Sequence, residues 1–286
     1  MSSSAPEKRG DQLAEGKTKI IWPTSNLNVV LVESKDDITA GDGAKHDILE
    51  GKAVAANTTT CNVFELINCV GLVPTHFLAR HDDRTFRAVK ARMVPIEVVA
   101  RRVVAGSYLK RNPDVAEGTK FPDLVIEFFY KDDAEHDPIM ICKFGENGKP
   151  WFSLHDAKQP ISAVTELGKL SPREVEALGL NENHINLMRL GAASVFETLE
   201  RAWLKHHMVL VDLKVEFGFD RYGRLILADV IDNDSWRIWH YGQPDGMLDK
   251  QVYRNLSTDD PEAKAEAMAK ISDNYQRVAK MTESFF

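Results

Sequence analysis

Cysteine is scarce: three in 286 residues, Cys61, Cys69 and Cys142, with no CxxC spacing and no companion histidine cluster. That excludes a disulfide-built scaffold, offers no zinc site and fits a reducing compartment. Long apolar runs are missing too. None reaches the roughly 18 residues of a membrane span. The polar opening "MSSSAPEKRGDQ" has no signal-peptide core, so a cytoplasmic location is expected. Basic excess is also absent. The formal net charge of −7 argues against a general nucleic-acid or anionic-membrane surface, though not against basic side chains gathered in a pocket. The chain shows no internal repeat and no low-complexity segment.

What is present is ordinary globular material, 43% hydrophobic and 28% charged, in a chain that suits one large domain or two lobes. Behind a head over 1–12, read as disordered, "KIIW", "NVVLVES", "THFLAR" and "TFRAVKA" read as strands. They surround one helix from Gly51 to about Val70, with Gly71 as its stop. "PIEVVARRVVAGS" and "DLVIEFFYK" read as further strands. A helix from His184 to Leu204 follows, and Asp260–Pro261 opens a closing helix as cap and first turn. Residues 139–181 are polar, broken by Gly and Pro, and without sustained period. They read as loops and short helices forming a mobile surface flap. The expected fold is α+β, with antiparallel sheets and packed helices. A strand-rich lobe over 13–92 and a mixed lobe over 93–286, divided near Met93, would hold a ligand cleft between them.

The run "LVDLKVEFG" alternates with one exception, Leu210, which falls on the charged parity. Val211, Leu213, Val215 and Phe217 share one parity, and Asp212, Lys214 and Glu216 the other, the mark of a half-buried strand. "DRYG" then reads as a turn and "RLILADVID" as the hairpin partner. A tight loop between Phe219 and Arg224 sets Glu216 opposite Leu227 and Lys214 opposite Asp229, leaving Glu216 and Asp229 as diagonal neighbours. Two readings stay open: a hard divalent ion such as Mg²⁺ joins the two carboxylates, or the face is a solvated one with a lysine between acids.

Nearby segments carry similar double readings. "AEGKTK" is no P-loop, since five residues rather than four separate Gly10 from Gly16 and a strand follows. Gly16 either brings the backbone close to a nucleotide, with Lys17 and Lys19 as phosphate cations, or begins an exposed strand edge. "ITAGDGAKHD" has GxG without a third glycine; it is an anion-binding loop or a plain turn. Glu97, Val99 and Arg101 share a strand face that ends at Gly106–Ser107, offering a planar fork and a hydroxyl. Asp232 and Asp234 lack the Gly and terminal Glu of a calcium loop.

Together "EGKTK", "TAGDGA", "PIEVVARRVVAGS", "KDDAEHDP", "LVDLKVEFG" and "LADVIDNDSWRIW" resemble, in order and over almost the whole chain, the phosphoribosylaminoimidazole-succinocarboxamide synthase (SAICAR synthetase) family of purine biosynthesis. "GSYLKRNP" is similar to the branch in which animals fuse this domain to a carboxylase; with the chain ending at Phe286, no second enzyme is expected. The resemblance implies a two-lobed fold with a nucleotide in the cleft. It also implies ligation of L-aspartate to a carboxyaminoimidazole ribonucleotide (CAIR), with ATP giving ADP and phosphate. By that resemblance Lys17, Lys19 and Lys131 contact ATP, Met93 meets the adenine, and Glu216 and Asp229 hold Mg²⁺. Arg101, Ser107 and Arg237 hold the ribonucleotide, Asp212 and Lys214 line its site, and Asp42 and Asp137 lie on closing loops. It leaves room for a homo-oligomer. A kinase-like or ATP-grasp-like phosphotransferase would leave Arg101, Ser107 and Arg237 without a purpose. A nucleotide-binding regulator without activity is expected to lose one of Lys17, Glu216 or Asp229. Residues 139–181 run longer than in the shorter family members.

Overall fold

The computed structural model describes residues 10–41, 43–145, 149–162, 164–257 and 260–285; most of the head and Asp42 lie outside them. The chain begins with strands β1 (Ala14–Glu15), β2 (Lys19–Pro23), β3 (Val29–Ser34), β4 (Asp37–Ala40) and β5 (Lys45–Ile48), then helix α1 (Lys52–Val70). Strands β6 (Phe77–Arg80), β7 (Thr85–Val89) and β8 (Arg92–Val103) lead to the short helix α2 (Ser107–Arg111). Next come β9 (Lys120–Tyr130), β10 (Ile139–Phe144), β11 (Pro150–His155) and β12 (Glu166–Lys169), then α3 (Pro172–Leu178) and α4 (Glu182–Leu204). β13 (Met208–Phe219), β14 (Leu225–Ala228) and β15 (Trp236–His240) precede α5 (Gln251–Asn255) and α6 (Pro261–Thr282).

These elements form an α+β fold. A five-stranded sheet runs β1-β2-β3-β7-β6; an eight-stranded antiparallel sheet runs β12-β11-β10-β9-β8-β13-β14, with β15 also on β13. The first sheet ends at Val89 and the second begins at Arg92, one residue before Met93. One apolar core runs through both, joining Val32 and Phe86 to Val98, Phe196 and Leu213. Helix starts follow local chemistry: Asn181 caps α4 by accepting from the His184 N–H, and the Asp260 carboxylate caps α6.

Four expectations need correction. Residues 139–181 are not a flap of loops: β10 and β11 pair from Ile139↔His155 to Phe144↔Pro150 and extend the large sheet. Ile139, Met140 and Phe152 are buried there, and Leu170 and Leu178 join the same core as Phe152. These strands lie toward the edge of the sheet and are six residues or fewer, and β10 (IMICKF) is apolar on both parities, so no period-two signal stands out. Second, the β13–β14 register is one residue off the expected one, with Glu216 facing Ala228 and Phe217 facing Leu227. The loop between Asp220 and Arg224 carries a left-handed Gly223 (φ 74°), the geometry of a three-residue hairpin rather than the four-residue loop expected between Phe219 and Arg224. Third, "RLILADVID" is strand only to Ala228, and "WRIWH" supplies the unforeseen β15. Fourth, "ITAGDGAKHD" is mostly the hairpin β4–β5.

Candidate active site

The large sheet places its charges by register. Arg101 on β8 and Arg237 on β15 both pair with Asp212 on β13, so two guanidiniums flank one carboxylate across three strands. Four residues along β13, Glu97 lies directly opposite Glu216. Two carboxylates so placed repel each other unless a cation intervenes. Lys214 is that cation, 2.6 Å from Glu216, 3.3 Å from Glu97 and 3.7 Å from Asp229. The polar parity of β13 is thus a built array, not a solvated face.

Around it opens a cleft of about 680 Å³. Lys17, Lys19, Arg101, Ser107, Lys131 and Asp137 line it, as do Asp212, Lys214, Glu216, Asp229 and Arg237. Met93 does not: it pairs with Gly218 at the start of β8, half exposed and away from this wall. Asp42 lies outside the described residues. The side chains divide into two ends. At the lysine end, Lys131 donates to both Glu216 oxygens at 3.0 and 3.1 Å, and Lys19 pairs with Asp229. Asp229 reaches this group because its backbone is left-handed (φ 67°), which turns the residue out of the β14 ladder. Lys17, at the turn between β1 and β2, is exposed and lies 3.6 Å from Asp133.

At the arginine end, Arg101 donates Nε to Glu127 (2.7 Å), Nη1 to Asp212 (2.9 Å) and Nη2 to Ser107 (3.1 Å). Arg237 donates to Asp212 and to Gln251. Gly106 is required here: its φ is 59°, and a side chain on it would run into the Arg237 guanidinium.

Electrostatics follow from this packing. Burial works against the Glu216 carboxylate, but Lys214, Lys131 and Lys19 outweigh it and bring its pKa down to about 2. Burial likewise opposes the Lys214 ammonium, and Glu216 and Glu97 outweigh it and raise its pKa. Lys19 goes the other way: burial, helped by Lys214 and Lys131, lowers it to about 8 against the pull of Glu216. Burial raises the Asp137 pKa, and its left-handed backbone (φ 53°) places it against the Asp132 N–H.

Six further charged residues, Glu97, Glu127, Asp133, Asp234, Lys250 and Arg254, have no role assigned from the sequence. Five of them line the cleft, and Glu127 lies behind it, holding Arg101 and Arg111. The parity of Glu97 with Arg101 was the available signal. Lys250 and Arg254 sit at α5, which had none.

A family model described as SAICAR synthetase matches residues 12–143 and 168–271. The chain belongs to the SAICAR synthetase family. The phosphoribosylaminoimidazole-succinocarboxamide synthase of Chloroflexus aurantiacus (strain ATCC 29366 / DSM 635 / J-10-fl) is 44% identical over 275 residues, covering 96% of each chain. The crystal structure of that synthase from Ehrlichia chaffeensis superposes with a TM-score of 0.74 at 26% identity, covering 96% of this chain and 99% of that one. A SAICAR synthetase in complex with ADP superposes at 0.69 with 31% identity, covering 91% and 97%. The internal stretch left unmatched by the SAICAR synthetase model, 144–167, holds β11 and the start of β12.

Proposed function

We propose that the cleft joins L-aspartate to the carboxylate of CAIR, converting ATP to ADP and phosphate and giving SAICAR. The observation that carries this reading is the division of the β13 face into a lysine–carboxylate end and an arginine–aspartate end, beside a ligand-sized cleft. A ligase of this kind needs both: one place that aligns a triphosphate and one that fixes the acid to be activated.

Eight basic and seven acidic side chains line the cleft, so its own charges nearly cancel and leave little to neutralise a triphosphate. Among the described residues no group of three or more His, Cys, Asp or Glu is arranged to hold a metal. Glu216 and Asp229, both within reach of one ammonium, nevertheless suit Mg²⁺, which takes one or two carboxylates and completes its shell with phosphate oxygens and water. When bound, the ion would neutralise charge developing on the phosphates.

The protein's own part is as follows. Lys17, Lys19 and Lys131 hold phosphate oxygens. Arg101, Ser107 and Arg237 hold the ribonucleotide, with Asp212 fixing both guanidiniums and Lys214 spanning the two ends. A carboxylate oxygen of CAIR attacks the γ-phosphorus, ADP leaves, and an acyl phosphate forms. The aspartate amine then attacks the carbonyl carbon and phosphate departs with that oxygen, an amine proton going to solvent. We place this work in the cytoplasm, where three free thiols remain reduced. The test is ADP release with CAIR, with and without L-aspartate. Sustained turnover only with all three substrates is expected; turnover indifferent to CAIR would overturn the reading.

A further inference from the structure

A second cavity, of about 500 Å³, shares α5 with the cleft. Lys250 and Arg254 border the cleft, whereas Val252, Asn255 and Leu256 border the cavity. Met247, Leu248 and Ala267 extend an aliphatic wall, and His240 and the acidic Asp245 also line the cavity. Across from α5, α6 presents Lys270, Asn274 and Arg277, spaced four and three residues apart and therefore on one face. Asn274 is 4% exposed, and its amide nitrogen has no hydrogen-bond partner. Such a group costs stability unless something satisfies it. Lys270 and Arg277 are exposed, and among the described residues neither is in an ion pair.

We infer that this cavity binds a small organic anion with a flat apolar body. Its phosphate or carboxylate lies against Lys270 and Arg277 and its ring against Val252, Leu256 and Met247; the Asn274 amide nitrogen, with almost no accessible surface, lies behind this wall. The volume suits one such molecule. The guanidinium fork of Arg277 matches the planar or tetrahedral oxyanion better than a point charge would. Occupancy would reach the cleft through α5, because Gln251 accepts from Arg237 at 3.2 Å. That coupling rests on the reading of the cleft given above; the binding itself does not.

The experiment is calorimetry on the full chain with AMP as probe and adenosine and inorganic phosphate as its separate halves. Wild type is expected to show a class of AMP site that Lys19→Ala leaves unchanged and that Lys270→Ala with Arg277→Ala weakens at least about tenfold. Each half alone is expected to bind about tenfold more weakly than AMP or worse. A single class of AMP site that ignores the α6 pair overturns the inference. So does inorganic phosphate binding as tightly as AMP, which would mean a bare cation patch. Loss of a Lys19-sensitive class alone would count against the cleft reading and leave this one standing. Both α6 side chains are exposed, so the variants keep the fold.

Discussion

At the lysine end of the cleft, Lys131 keeps 43% of its side chain exposed and Lys19 27%, and each pairs through a single ammonium. At the arginine end, Arg101 is 3% exposed and divides its donors among Glu127, Asp212 and Ser107. The first arrangement suits partner exchange: in the proposed reading, an incoming phosphate takes an ammonium and frees a carboxylate for a metal. The second is fixed before any ligand arrives, since a planar fork held on several sides has little freedom left to lose. One end therefore adapts and the other is a template.

Substitutions should separate the two ends, with the largest effects on chemistry. Glu216→Gln and Asp229→Asn each remove one charge from the lysine end while keeping shape. Turnover should fall at least about a hundredfold, as when a preorganised electrostatic partner is lost; Glu216→Gln should also lower the unfolding temperature, since it takes a buried partner from Lys214 and Lys131. Full turnover of either variant at limiting Mg²⁺ would remove both residues from the metal role. Next in size is Arg101→Lys, which keeps charge and loses the fork. CAIR binding should weaken by about 2 kcal/mol, as for a charged hydrogen bond, while ADP affinity stays. Calorimetry decides it, and an equal loss for both ligands would make Arg101 a general support of the sheet.

Smaller again is a pH effect at Lys19. Its lowered pKa, about 8, means that the free protein loses this ammonium as pH rises through 8, whereas an exposed lysine would keep it to about 10.5. ADP affinity should therefore be constant below pH 7 and decline above pH 8, by up to about tenfold per unit if the cation is essential. Lys19→Arg should remove the decline. The smallest effect belongs to Lys17, exposed beside Asp133. Lys17→Ala should weaken ADP by no more than about 1 kcal/mol, the range of exposed ion pairs. A loss as large as that of Lys19→Ala would show that the β1–β2 turn closes onto the phosphates.

The same contrast explains what could be read in advance. The array on β13 was legible because that strand is central and long: one parity is buried without a break, so three charges on the other parity stand out. Arg101 and Glu97 were legible by the same rule on β8. Which charge meets which was not. It depends on the β8–β13–β15 register, and β15 carried no period in "WRIWH", where both parities are largely buried. Asp229 fell in the right cluster for a partly wrong reason. The expected hairpin register was off by one, and a left-handed backbone, invisible in the residue pattern, brings the carboxylate round. At the far edge of the same sheet, β10 to β12 are short and half covered, and no alternation stands out in them. α5 depends wholly on tertiary packing: at five residues it lies far below the length at which a helix supports itself.

The division of the cleft is tested most directly by a crossed calorimetric titration, ADP with Mg²⁺ and CAIR each against wild type, Lys131→Ala and Arg237→Ala. The account predicts a double dissociation: Lys131→Ala weakens ADP and spares CAIR, and Arg237→Ala weakens CAIR and spares ADP. Matching losses of both ligands in both variants would contradict it, making the cleft one undivided charge network.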